Sequence, residues 1–75
     1  MRWIKITHTG GDDYLNIEQV YRVVQTSPTE ITFYDANSIL PASYTFASAS
    51  QTSDFLSKFE KIFQVVFIDQ LAPQG

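Results

Sequence analysis

The chain contains no cysteine. Disulfide staples and thiolate metal sites are therefore excluded, and a fold of 75 residues must be held by apolar packing, within one chain or between chains. The same absence fits a reducing compartment. Basic residues are scarce too. Arg2, Lys5, Arg22, Lys58 and Lys61 are the only five, against eight acidic residues, for a net charge of −3. They fall on three different predicted elements, so no basic stripe follows a phosphate backbone or an anionic membrane surface. Long hydrophobic runs are missing as well: the longest, Val65 to Ile68, is far short of the roughly 20 residues that cross a bilayer. The first eleven residues interleave polar and apolar positions and lack the apolar stretch of a signal peptide. The expected location is the cytoplasm.

Aromatic residues are plentiful. Six Phe, four Tyr and one Trp make up 15% of the chain, while charged residues make up 17%, below the usual share of about a quarter. Each buried aromatic removes roughly 150–250 Å² from water. This balance describes a packed domain and not a disordered one. The length fits a single domain, residues 1–75.

The period of the apolar positions gives the elements. In "RWIKITH", Ile4 and Ile6 share one face with Arg2 and His8, and Trp3, Lys5 and Thr7 share the other, the pattern of a half-buried strand. "TGGDD" reads as a turn, with Gly10 and Gly11 tolerating positive φ and Asp12 and Asp13 favouring local hydrogen bonds. Tyr14 to Asn16 predicts a return strand, after which Asn16 either caps one helical turn or marks a jog. Val20–Thr26 and Ile31–Asp35, joined by "SPTE" with Pro28 at the second turn position, predict a hairpin. Ile39 and Leu40 are expected to pair briefly before Pro41, which lacks an N–H and belongs at an edge. "SYTF" predicts another short strand, and "ASASQTS" a small, polar linker.

Phe55, Leu56, Phe59, Ile62, Phe63 and Val66 follow helical spacing. Thr52 is the expected N-cap, with Asp54 in the first turn. Beyond them Val65, Val66, Phe67 and Ile68 are apolar on every side, and one sheet covers only one face of a helix. The surplus predicts an interface built from Val65, Val66, Phe67, Ile68 and Leu71. A two-fold homodimer is the first expectation. The cover is a second helix from a copy of the same chain, a tail strand added to a neighbour's sheet, or a different protein.

The order "IKIT", "GGDDYLN", "VYRVVQTSPTEITF" and "SDFLSKFEKI" resembles the FlbD/SwrD-like family of small flagellar proteins, over about half the chain. The resemblance implies a flagellar role and brings no catalytic residues with it. After Asp35 the chain departs from the family's Gly turn and Val-rich strand. A looser likeness links it to single-stranded nucleic-acid binders built on a curved sheet with one helix. Trp3, Lys5, Tyr21 and Tyr34 are the residues for such a face, since bases stack on aromatic rings.

Chemistry has little to work with. His8 is the single histidine, and with Asp12 and Asp13 nearby it forms at best a weak divalent site, because it lacks the partners of ordinary ligand sets. "GGDD" has neither the following helix nor the Lys–Ser/Thr pair of a phosphate loop. The Ser and Thr residues of "SYTFASASQTS" have no local base. Glu18, Glu30, Asp35, Asp54, Glu60 and Asp69 are scattered. The expectation is therefore a non-enzymatic protein–protein interaction module without cofactor or metal, probing its partner through the apolar tail. In structure it is an α+β domain, an antiparallel sheet of four or five strands with one C-terminal helix packed on one face.

Overall fold

A computed structural model of the chain describes residues 2–65. The chain order is β1 (Trp3–His8), β2 (Gly11–Asn16), a 3₁₀ turn (Ile17–Gln19), β3 (Val20–Ser27), β4 (Glu30–Asp35), β5 (Ala42–Thr45) and α1 (Ala49–Ile62). The class is α+β, as expected. The strands, however, do not form one sheet. β1 and β2 make a two-stranded antiparallel ribbon, and β3, β4 and β5 make a three-stranded antiparallel sheet in that order. The break comes at the 3₁₀ turn, where the Asn16 side chain accepts from the Glu18 N–H at 3.1 Å. A capped helical turn re-aims the chain where a hairpin turn would have kept β2 and β3 side by side. The two sheets meet at a corner, where the Thr9 N–H donates to the Thr45 carbonyl at 2.9 Å.

In the first hairpin His8 lies opposite Gly11. Gly11 adopts φ of 119°, a value that excludes most side chains. Asp12 and Asp13 are not turn residues, as expected from their type, but belong to β2 opposite Thr7 and Ile6. Cross-strand partners outweigh turn preference here: Lys5 Nζ lies 3.6 Å from Asp12 Oδ2 and His8 Nε2 lies 2.7 Å from Asp13 Oδ2.

The β3–β4 hairpin turns at Pro28 and Thr29, with the Thr29 N–H held by Ser27 Oγ at 3.2 Å. Its register shifts twice on the β3 side, between Val20 and Arg22 and between Gln25 and Ser27. Irregularities of this kind bend and twist an edge strand. Ile39 and Leu40 do not pair. They sit in the loop between β4 and β5, at 98% and 75% exposure, because β5 begins only at Ala42, after Pro41.

Alternation on β4 sends Ile31 and Phe33 inward. With Ile6, Tyr44 and Phe46 they form the core, and Ile4, Leu15, Val23, Ala42, Phe55, Leu56 and Phe59 pack around it. Phe33 touches both Phe55 and Phe59 of α1, with ring centroids 6.3 Å apart in each case. The helix thus lies on the Phe33 side of β4. Thr32, on the opposite side, is also buried and shares a hydrogen bond with Ser43 at 2.9 Å.

The helix starts earlier than expected. Ser48, not Thr52, is the N-cap: its hydroxyl accepts from the Gln51 N–H at 3.2 Å, and Gln51 Oε1 accepts from the Ala47 N–H at 3.3 Å. This is close to the reciprocal bonding of a capping box. Thr52 is fully buried one turn inside, its hydroxyl donating to the Ser48 carbonyl at 3.1 Å, and Asp54 falls beyond the first turn. At the other end the Phe63 N–H donates to the Phe59 carbonyl at 3.0 Å, and the Val65 N–H to the Glu60 carbonyl at 3.1 Å. Between them Gln64 has φ of 54°. The long reach from Val65 back to Glu60 across a left-handed residue is the Schellman helix ending. Of the expected interface, Val65 is described and lies outside the helix at 52% exposure; Val66, Phe67, Ile68 and Leu71 lie outside the described residues.

Candidate interaction groove

An apolar groove of about 290 Å³ runs between β1 and α1. One wall is Trp3, Ile4 and Lys5. The other is Phe55, Lys58, Phe59, Ile62 and Phe63. The sequence forms it for a simple reason. Along α1, Phe55, Phe59, Ile62 and Phe63 recur at i, i+4, i+7 and i+8, a stripe on one flank of the helix. Phe59 is shared with the core, but Ile62 is 59% exposed. The apolar arc is wider than the sheet beneath it.

The β1 wall has its own logic. Three consecutive residues alternate between faces, so a hollow touched by Trp3, Ile4 and Lys5 together opens along the edge of the strand. Trp3 remains 55% exposed. At one end Arg2 lies over the Phe63 ring, 5.3 Å from its centroid, and Phe63 in turn lies 4.8 Å from Phe59. At the other end a second hollow of about 360 Å³, lined by Lys5, Thr7, Phe46, Gln51, Asp54, Phe55 and Lys58, shares Lys5, Phe55 and Lys58 with the first. The two hollows adjoin at these three residues, a channel in two parts.

The residues considered for nucleic-acid contact divide between two surfaces. Trp3 and Lys5 line the groove. Tyr21 and Tyr34 lie together, ring centroids 6.3 Å apart, with the Arg22 guanidinium 5.2 Å from the Tyr34 centroid. Tyr21 is the extra residue of the first β3 irregularity, since Val20 pairs with Asp35 and Arg22 with Tyr34. Tyr34 follows Phe33 on β4 and therefore faces away from the helix. Lys5 is engaged with Asp12 and sits 6.0 Å from the Tyr14 ring centroid.

His8 stands at the corner where the two sheets meet. Its Nδ1 accepts from the Gly10 N–H at 3.2 Å, so the ring hydrogen is on Nε2 and points to Asp13 Oδ2 at 2.7 Å. The ring meets Tyr44 edge-on, centroids 4.8 Å apart. A Cβ at Gly10 would lie 3.0 Å from His8 Cε1, so a larger residue there requires the ring to give by a few tenths of an ångström. Both ring nitrogens are engaged in hydrogen bonds. Tyr44 is held above its ordinary pKa, first by burial and then by the Asp13 carboxylate. Asp12 turns to Lys5 instead. Among the described residues no three His, Asp or Glu side chains converge as metal ligands do, and no helix is long and apolar enough to cross a membrane.

The groove escaped the sequence reading, which placed the protein interface on the tail and gave Trp3 and Lys5 to a nucleic-acid face with Tyr21 and Tyr34. Its signals were the adjacent Trp3 and Ile4, apolar on both faces of β1, and the placement of Ile62 at the margin of the helix stripe. No family model, curated protein or solved structure matches the chain.

Proposed function

We propose that this chain is a non-enzymatic protein–protein interaction module that acts as a homodimer, with the groove between β1 and α1 as its contact surface. The observation carrying this reading is the open apolar groove itself, flanked by exposed Trp3 and Ile62, with Val65 also exposed three residues past Ile62 in the chain. Exposed large apolar side chains grouped around a concavity mark sites that another molecule covers, and aromatic residues are enriched at such contacts. The nucleic-acid alternative draws less support, because its four residues divide between two surfaces and the chain is acidic. A catalytic role draws little from His8, whose two nitrogens are already engaged.

Sedimentation over a wide concentration range tests the proposal. The expected result is a shift from monomer to dimer mass as concentration rises, displaced toward monomer by Ile62→Lys. A chain that remains monomeric throughout overturns it.

A further inference from the structure

We propose that the channel between β1 and α1 receives Val66–Leu71 of a second copy of this chain, laid against the free edge of β1 as an added antiparallel strand. This rests on the self-association reading above and assigns it a surface and an occupant.

The free edge is the starting point. Among the described residues β1 pairs with β2 alone, so its other edge carries no strand, and Trp3, Ile4 and Lys5 of β1 line the channel. Addition of an extended segment to such an edge is a recurrent mode of recognition, in which main-chain bonds give affinity and pockets for alternate side chains give selectivity. The dimensions agree. From Gln51 to Phe63 the helix wall extends about 18 Å, at about 1.5 Å per residue. β1 has six residues, about 20 Å of strand. The segment from Val66 to Leu71 also has six and reaches about 20 Å when extended.

The chemistry agrees as well. The segment reads "VVFIDQL" from Val65 onward, rich in residues that favour strands. Alternation would turn Val66 and Ile68 one way and Phe67 and Asp69 the other. The channel offers apolar walls from Trp3, Phe55, Phe59 and Ile62, with Lys58 beside them, while Lys5 is paired with Asp12 and Asp54 lines the far hollow. Asp69 is the one charge in the segment, opposite in sign to Lys58.

Polarity selects the second copy over the chain's own tail. Trp3 shares the groove with Ile62 and Phe63, while Thr7 shares the adjoining hollow with Gln51, so β1 and α1 run antiparallel. A tail that doubled back from α1 into its own channel would lie parallel to β1. A tail from a copy whose helix runs the opposite way would lie antiparallel, the more stable ladder. A two-fold axis then lets each copy give and receive one strand.

The chain's lack of cysteine makes the test direct. Lys5→Cys and Ile68→Cys are prepared separately in the full chain, one of them isotopically labelled, mixed, and treated with a short bis-maleimide crosslinker; Lys58→Cys in place of Lys5→Cys repeats the measurement from the helix wall. The expected product joins residue 5 or 58 of one copy to residue 68 of the other. If the protein sediments as a dimer but the mixed product does not form, this occupant is wrong while self-association stands. If the double variant Lys5→Cys/Ile68→Cys crosslinks within one chain and the protein sediments as a monomer, both proposals fall.

Discussion

Single side chains at the corner between the two sheets carry more than their number suggests. Tyr44 is 8% exposed, and its pKa is raised by burial and, secondarily, by Asp13. The sign of the consequence follows from proton linkage. Above the ordinary tyrosine value the unfolded chain releases this proton while the folded chain still holds it. The stability that depends on the protonated phenol is therefore complete below that value and is lost as pH rises toward the folded-state pKa. We expect the denaturation midpoint to fall over this alkaline interval in the native sequence and to fall less in Tyr44→Phe. Asp13→Asn removes the nearby negative charge while keeping an oxygen to accept from His8 Nε2, so it should bring the Tyr44 titration closer to ordinary. Tyrosinate absorbance against pH, with Tyr44→Phe as the reference, measures it; an unchanged titration in Asp13→Asn would mean that burial acts alone.

Among the elements, the β3–β4 hairpin was legible because two independent signals agreed, alternating β-branched residues and a Ser-Pro-Thr-Glu turn. The helix was legible in its apolar stripe but not in its start. Ser48 and Thr52 are both good capping residues, and only packing decides between them: Thr52 is needed inside, against the core. The first hairpin misled for a related reason. Asp12 and Asp13 favour turns locally, yet Lys5 and His8 across the ribbon hold them in a strand, and that partnership spans residues no local window weighs together. The division into two sheets depended on a single 3₁₀ turn, which Asn16 permits but does not require. The groove was the least legible part, since it belongs to neither element and exists only once β1 and the helix lie side by side. One prediction is confined to the helix end. Gln64 occupies a left-handed conformation that costs a residue with a Cβ about 1 kcal/mol or more. Gln64→Gly relieves this cost, less the entropy a glycine loses on folding, and should raise stability by about 0.5–1 kcal/mol. Chemical denaturation reads it, and Gln64→Val should move the midpoint the other way.

At the scale of the whole molecule the question is how a chain this small maintains a folded state. Among the described residues the fully buried side chains are few: Phe33, Ile6, Ile31 and Thr52. Short domains bury a smaller share of their surface and often lean on metals, disulfides or oligomerisation. With cysteine absent, the proposed self-association would supply such support. Stability linked to association depends on protein concentration, so we expect the thermal midpoint to climb as the protein is concentrated and to be flat in Ile62→Lys. A midpoint independent of concentration in both would separate folding from assembly.

The two register shifts in β3 have a consequence for how such assembly ends. Strand borders that stay regular invite endless addition, one chain after another, until fibrils result. Here the outer border of the three-stranded sheet is kinked near each extremity, at Val20/Arg22 and Gln25/Ser27, and offers no even template for growth. A pair that exchanged strands through β1 would leave that kinked border as one of its flanks, and further strands would find no even template there.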